Sequence, residues 1–281
     1  NISVITQQID IDKIAFVLKN NAYGHGLLEM AQLAKHNNIK HAIVINNKEA
    51  EKIKNYFDSI LILSGIPEIS PSKNIFIAIN QINDIDKFPK GTSVELKIDT
   101  GMNRNGISIY QIDKAIQMIQ ESNLVLKGVF THFANAFESD GSMEKQKDIF
   151  DNLKDKIKSN FSNQDLRFHC CSSPGIFRID NTQYDLARIG IAMYGYVDLP
   201  DNVVKPNLKP VLSLWAEKVS ERLVGKGESV EGGSFRGRYS IIGMDPDIIW
   251  RCHGNKAEIK YVTQNTKSKF YSCIKDKNNK I

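Results

Sequence analysis

The chain has 281 residues, 41% hydrophobic and 25% charged, enough apolar material for one large core or two small ones and too balanced for wholesale disorder. Its 37 basic and 32 acidic residues leave a net charge of +5 with no block of five like charges, which reads as a solvated lysine-rich surface rather than a nucleic-acid-binding stripe. The longest apolar runs fall far short of the roughly 20 residues that span a bilayer, Asn1–Asp12 is too polar for a signal peptide, and Cys170, Cys171, Cys252 and Cys273 lack metal-ligand or disulfide spacing, so reduced cytoplasmic thiols and no metal are expected.

Strand-like runs fall at Ile14–Leu18, His41–Ile45, Ile60–Leu63 and Ile75–Ile79, then at Val94–Ile98, Leu126–Thr131, Leu166–Cys171 and Asp185–Ile189. Amphipathic stretches at Leu27–His36, Lys48–Tyr56, Tyr110–Glu121 and Ser142–Asn160 predict helices between several of them. Eight strands with helical crossovers predict an α/β fold, a (β/α)₈ TIM-type barrel over about residues 10–196. Beyond Gly195 the pattern changes. Pro200, Pro206 and Pro210 mark a connector, Val211–Val224 is one more strand candidate, and Gly225–Gly237 is loop-like. Ile241–Trp250 and Ala257–Val262 are strand-like and predict a short β-rich C-terminal appendage. The expected division is therefore 1–227 for barrel and connector, 228–262 for the appendage, and 263–281 for a polar, disordered tail.

Active sites of such barrels lie at the carboxyl ends of the strands. Strand one ends in Lys19, strand five carries Lys97 and runs to Arg104, strand six ends in His132, strand seven leads to Ser172 and Ser173, and strand eight carries Arg188 before Gly190. By placement this rim suits an anionic ligand with a phosphate. A lysine ending a buried strand either snorkels to the rim or is a desolvated amine able to form a Schiff base.

The residues around these positions favour the second reading. Lys19-Asn-Asn-Ala-Tyr-Gly-His-Gly26 resembles the pyridoxal-phosphate lysine motif of bacterial alanine racemases. Lys97-Ile-Asp-Thr-Gly-Met-Asn-Arg-Asn-Gly106, Thr131-His-Phe-Ala134 and Arg188-Ile-Gly-Ile-Ala-Met-Tyr-Gly195 resemble three further motifs of that family, in family order, so the resemblance covers about residues 1–230. It implies pyridoxal 5'-phosphate as cofactor, with Lys19 as its attachment point and one of two bases. Tyr23 and Ser173 would hold the phosphate, helped by the backbone N–H groups of Gly190 and Ile191. His132 would pack beside the ring, and Arg104 would meet the substrate carboxylate or the cofactor's phenolic oxygen, oriented by Lys97, a lysine often carbamylated in the family. Ser173 follows His169 by four residues as in the family, although Ser172, Pro174 and Gly175 replace the usual asparagine and alanines. Arg188 would face the pyridine nitrogen. An arginine keeps its protons, so the ring is a poorer electron sink, which favours racemisation over transamination. The implied activity is interconversion of L- and D-alanine for peptidoglycan synthesis by a cytoplasmic homodimer, with serine or another small amino acid as the other substrates to weigh.

The family's second base is a tyrosine in a C-terminal domain of the partner subunit, and its motif is not found after about Val230. Glu228–Trp250 instead resembles the amino-terminal region of the large subunit of anthranilate synthase, a likeness ending near Ile259, so the sequence reads as chimeric. Tyr239, Tyr261 and Tyr271 stand outside any racemase context and read as structural. Impaired racemisation and weakened dimerisation are therefore expected. The alternatives are a cofactor-binding barrel without efficient racemase activity, and a binding or regulatory module of aromatic amino-acid synthesis resting on residues 228–259.

Overall fold

The strand-like runs pair in parallel, each beside its neighbour in the chain. The structure, a computed structural model, describes residues 1–213 and the strands 248–253 and 256–261. Strands β1 (Ile14–Val17), β2 (His41–Val44), β3 (Ser59–Ile62), β4 (Ile75–Ile79), β5 (Ser93–Asp99), β6 (Val125–Phe130), β7 (Arg167–His169) and β8 (Ala187–Ile189) follow in that order, and β1 pairs with both β2 and β8. The seam between β7 and β8 is closed by a Ser172–Arg188 bridge, in which Arg188 N–H donates to the Cys171 carbonyl at 3.0 Å. The result is the expected eight-stranded barrel. Strand β7 stops at His169, two residues short of the apolar run, because Cys170 and Cys171 leave the β6 ladder and turn toward the seam.

Among the described residues, the helices of seven residues or more that cover the outside are α1 (Leu27–His36), α2 (Asn47–Ile53), α3 (Ile112–Glu121) and α4 (Ser142–Asn160). Each presents an apolar stripe to the strands, as Ile112, Ala115, Ile116 and Ile119 do at helical spacing on α3. Helix α2 begins where Asn46 Oδ1 accepts the Glu49 N–H at 3.0 Å. The connections after β4, β5 and β7, and the chain just after β8, carry short 3₁₀ turns, and Ile107–Ser108 forms a small extra strand beside β5.

The two-residue period of each strand sorts side chains between helices and lumen. Outward residues such as Phe16, Ile60, Ile77, Val94 and Leu96 join the core under the helices. Ala15, Val17, Ile43, Leu61, Ala78 and Phe130 fill the lumen. On β5 the same alternation sends Val94, Leu96 and Ile98 outward and leaves Glu95 and Lys97 on the inner face, both buried. Arg167 and His169 of β7 and Arg188 of β8 share that interior.

The chain divides into two units, Asn1–Leu212 and Ser213–Ile281. In the second, β9 (Ile248–His253) and β10 (Lys256–Tyr261) form an antiparallel pair that overlaps the strand candidates Ile241–Trp250 and Ala257–Val262. The expected boundary at 227/228, most of Val211–Val224 and the tail 263–281 lie outside the described residues. Among the described residues no helix is long and apolar enough to cross a membrane.

Gly128 of β6 sits in register between Glu95 and Arg167. A Cβ there would lie 2.7 Å from the Arg167 carbonyl oxygen and 2.8 Å from Arg167 Cγ. Gly128→Ala is therefore expected to destabilise the barrel by about 1–3 kcal/mol through overpacking. The check is a lower urea midpoint at unchanged slope; an unchanged midpoint would mean that β6 and β7 part without cost.

Candidate active site

Immediately after β1 the backbone turns the wrong way for ordinary residues. Asn20, Asn21 and Ala22 have φ of 55° and Tyr23 of 56°. Left-handed geometry costs about 1–2 kcal/mol per residue outside Gly and the Asn/Asp pair, so Ala22 and Tyr23 need outside support. Ala22 N–H donates to the Leu18 carbonyl at 2.8 Å, and Leu27 N–H to Asn21 Oδ1 at 2.9 Å. Glu49 of α2 completes the brace: its Oε1 accepts Asn21 N–H at 2.8 Å and its Oε2 accepts Ile45 N–H at 3.0 Å. The braced turn puts Lys19 Nζ 5.8 Å from the Tyr23 ring centre, and Tyr23 5.2 Å from Tyr194, on which His25 stacks at 4.6 Å.

Across the mouth, Ser173 Oγ accepts the N–H groups of Gly190 at 3.1 Å and Ala192 at 3.2 Å. A Cβ on Gly190 would stand 2.7 Å from the Tyr23 hydroxyl, so only glycine leaves that gap open. Two hydroxyls and two backbone donors thus share one small space, a donor set that fits a phosphate group. The two donors flank Ile191, whose side chain is half exposed; Ala192 was not expected here.

Arg188 fills the space beneath. It is 6% exposed. Its Nη1 donates to His169 Nδ1 at 2.8 Å, and its Nη2 to the Thr131 carbonyl at 2.6 Å, the Cys170 carbonyl at 3.0 Å and His132 Nδ1 at 3.2 Å. A guanidinium only donates, so both imidazoles must turn an unprotonated Nδ1 toward it. The far nitrogen of His169, Nε2, lies 2.7 Å from Glu95 Oε2, and Glu95 Oε1 receives Arg167 Nε at 2.5 Å.

The rim is strongly cationic. Burial, then Arg188, Lys97, Arg104 and Lys19, lower the His132 pKa to about 3, which ties all four cations to one imidazole. Burial, then Arg104 and Arg188, lower Lys97 to about 8 against the pull of Asp99. Arg104 rides on an exposed loop folded round Asp99, whose Oδ1 accepts the N–H groups of Gly101, Met102 and Asn103 at 3.0, 2.9 and 3.1 Å. Lys19, Tyr23, Arg104, His132, Ser173, Arg188, Gly190 and Ile191 are thus all drawn from the carboxyl ends of the strands. Glu95, Arg167 and Glu49 escaped sequence reasoning. A lone acid in the apolar run Val94–Leu96, two residues before Lys97, was the available signal for Glu95.

Residues 1–198 match the family model described as alanine racemase, N-terminal domain. The alanine racemase of a Nitratiruptor species is 41% identical over 235 residues, covering 82% of this chain and 70% of that protein. That of Campylobacter jejuni subsp. jejuni is 39% identical over 237 residues, covering 84% and 70%. Among solved structures, the alanine racemase of Clostridium difficile 630 superposes with a TM-score of 0.64 at 26% identity, covering 74% of this chain and 59% of that one. The chain therefore spans about three-fifths of that solved racemase. The comparisons lend no support to the likeness of 228–259 to anthranilate synthase.

Acid should weaken this site in a defined order. Burial first, and Arg167 or Arg188 as well, hold His41 and His169 near 4 and His132 near 3, below the ordinary 6.5. The folded chain therefore binds fewer protons than the unfolded one, and stability falls as pH drops from about 6.5. Burial raises the Glu95 pKa, but Arg167 and His169 outweigh it and hold it at about 2 against an ordinary 4.5, which adds a further loss between those values. Urea midpoints between pH 7.5 and 4 should fall steadily, with an uptake approaching three protons near pH 5. A flat profile would contradict the neutral imidazoles.

Proposed function

The chain belongs to the alanine racemase family, and from that premise we propose that it holds pyridoxal 5'-phosphate at the carboxyl rim of its barrel and interconverts L- and D-alanine. The family is dependent on that cofactor. The observation that carries the proposal is the joint placement of a donor cradle at Ser173, a lysine at the mouth and a buried arginine that cannot give up a proton. When bound, the cofactor supplies a conjugated ring that takes up the electron pair left when a substrate Cα loses its hydrogen.

The chain's own residues account for the rest. Ser173, Tyr23 and the N–H groups of Gly190, Ala192 and, by the family pattern, Ile191 bind phosphate. Lys19 Nζ is the attachment point and takes or returns a proton on its own side of the substrate. Arg188, held by five acceptors, keeps its protons and so withholds one from the ring nitrogen. His132, neutral at working pH, would stand beside the bound ring. Arg104, next to Lys97, binds the substrate carboxylate. With a pKa near 8, Lys97 is partly the free amine, the form that can take up carbon dioxide and release a proton to become a carbamate, which would replace one of the four rim cations with an anion.

A proton must also reach the opposite face of the substrate. Tyr239, Tyr261 and Tyr271 stand outside any racemase motif. The 281-residue chain is therefore expected to racemise alanine more slowly than the Nitratiruptor enzyme, by about 10²–10⁴-fold, the worth of one positioned acid or base. Weak dimerisation belongs to the same proposal. Cys170 and Cys171 are free thiols, which suits a reducing cytoplasm where D-alanine feeds cell-wall synthesis. A role in aromatic amino-acid synthesis rests on the sequence of 228–259 alone; tryptophan binding to the full chain is its test.

The full chain mixed with pyridoxal phosphate should develop a visible absorbance band that Lys19→Ala abolishes, together with slow racemisation of alanine in preference to serine. Ser173→Ala should weaken cofactor binding about tenfold, the worth of a hydrogen bond to a charged group. A band that survives Lys19→Ala would overturn the assignment.

A further inference from the structure

We propose that Glu95 is a positioning residue for the reaction: it fixes His169 in the one tautomer that can accept from Arg188, and so determines where Arg188 stands. The inference rests on the racemase reading in one respect, that Arg188 matters to the reaction because the cofactor ring lies against it.

Glu95 has no solvent exposure and uses both oxygens. Oε1 accepts from the fork of Arg167, through Nε at 2.5 Å and through Nη2. Oε2 faces His169 Nε2 at 2.7 Å. Arg167 is itself fixed: Nη1 donates to Ser59 Oγ at 2.6 Å and the guanidinium lies 4.6 Å over Phe76. The His169 ring cannot turn, being stacked on Phe130 with centres 5.0 Å apart and planes within 5°. Only the position of its proton remains to be decided. Nδ1 faces an obligate donor, Arg188, and must accept. Nε2 faces an obligate acceptor, the Glu95 carboxylate, and must donate. One neutral tautomer satisfies both.

Nothing isosteric replaces the carboxylate. A glutamine at 95 has one acceptor and one donor. With its oxygen toward Arg167, its amide N–H meets His169 Nε2 and drives the ring proton to Nδ1, against Arg188. With its oxygen toward His169, its amide N–H meets the N–H groups of Arg167. Either way one buried donor is opposed, and in the first case Arg188 loses its shortest imidazole contact. The absence of a Cβ at Gly128 is consistent with this demand, because a methyl group there would come within 3.2 Å of Glu95 Cδ.

The test is nitrogen-15 NMR of the full chain labelled at histidine, with His169→Gln used to assign the signal, combined with kinetics of the cofactor-loaded chain. Wild-type His169 at pH 7 should be neutral and protonated at Nε2. Glu95→Gln should move the signal toward the Nδ1-protonated form and lower kcat by about 10- to 100-fold, the scale for carboxylates that orient a functional histidine, with KM changing far less. Arg167→Gln should act in the same direction but more weakly. A wild-type ring protonated at Nδ1, or doubly protonated, would overturn the proposal, as would Glu95→Gln with unaltered tautomer and kcat. If Glu95→Gln does not fold, the wild-type signal and Arg167→Gln decide. If the chain neither takes up pyridoxal phosphate nor racemises alanine, the racemase reading fails, while the tautomer of the wild type and of Glu95→Gln still decides whether Glu95 positions Arg188.

Discussion

One buried guanidinium joins closure of the barrel to its chemistry. The backbone of Arg188 makes the last ladder contacts, to Cys171 and Ser172, that turn an open parallel sheet into a closed one. Its side chain then gathers the ends of β6 and β7 through the carbonyls of Thr131, His169 and Cys170. A charge this deep is tolerated because both terminal nitrogens find acceptors and a carboxylate, Glu95, stands one imidazole away. Any shift of the seam is also a shift of the site.

The barrel was legible in the sequence because parallel strands buried on both faces leave near-continuous apolar runs, and all eight runs pair as strands in the structure. Helix α3 was legible for a similar reason, since Ile112, Ala115, Ile116 and Ile119 carry the helical period. The rim residues were read from motifs and strand-end placement, and the structure brings their side chains and backbone donors to one mouth. The supports behind them were not legible. Glu95 and Arg167 are 72 positions apart and meet only because β5, β6 and β7 lie side by side with Gly128 between them, and Glu49 looks like any surface acid of a short helix until its two oxygens are seen on Asn21 and Ile45. The same applies to Ala192, whose contribution is a backbone N–H that no side-chain pattern announces.

The rim also shows how function strains a fold. Lys19, Lys97, Arg104 and Arg188 crowd round one imidazole, and the carboxylate that opposes Lys97, Asp99, has one of its oxygens occupied by three backbone N–H groups. Such a site repels itself until an anion enters, so any anion it takes up acts as a structural counter-ion as well as a ligand.

The left-handed turn after β1 carries a consequence for how the protein is made. Lys19 leaves the ribosome before the distant groups that support its turn, and the local hydrogen bonds from Ala22 N–H to Leu18 and from Leu27 N–H to Asn21 are only part of what holds Ala22 and Tyr23 in their conformation. The brace from Glu49 arrives only after β2, and the surface that receives Tyr23, at Gly190 and Tyr194, is translated with the last barrel strand, β8. In a nascent chain Lys19 therefore stands on a turn that is only partly braced, and its amine is set at the mouth only when the far end of the barrel has come round to meet it.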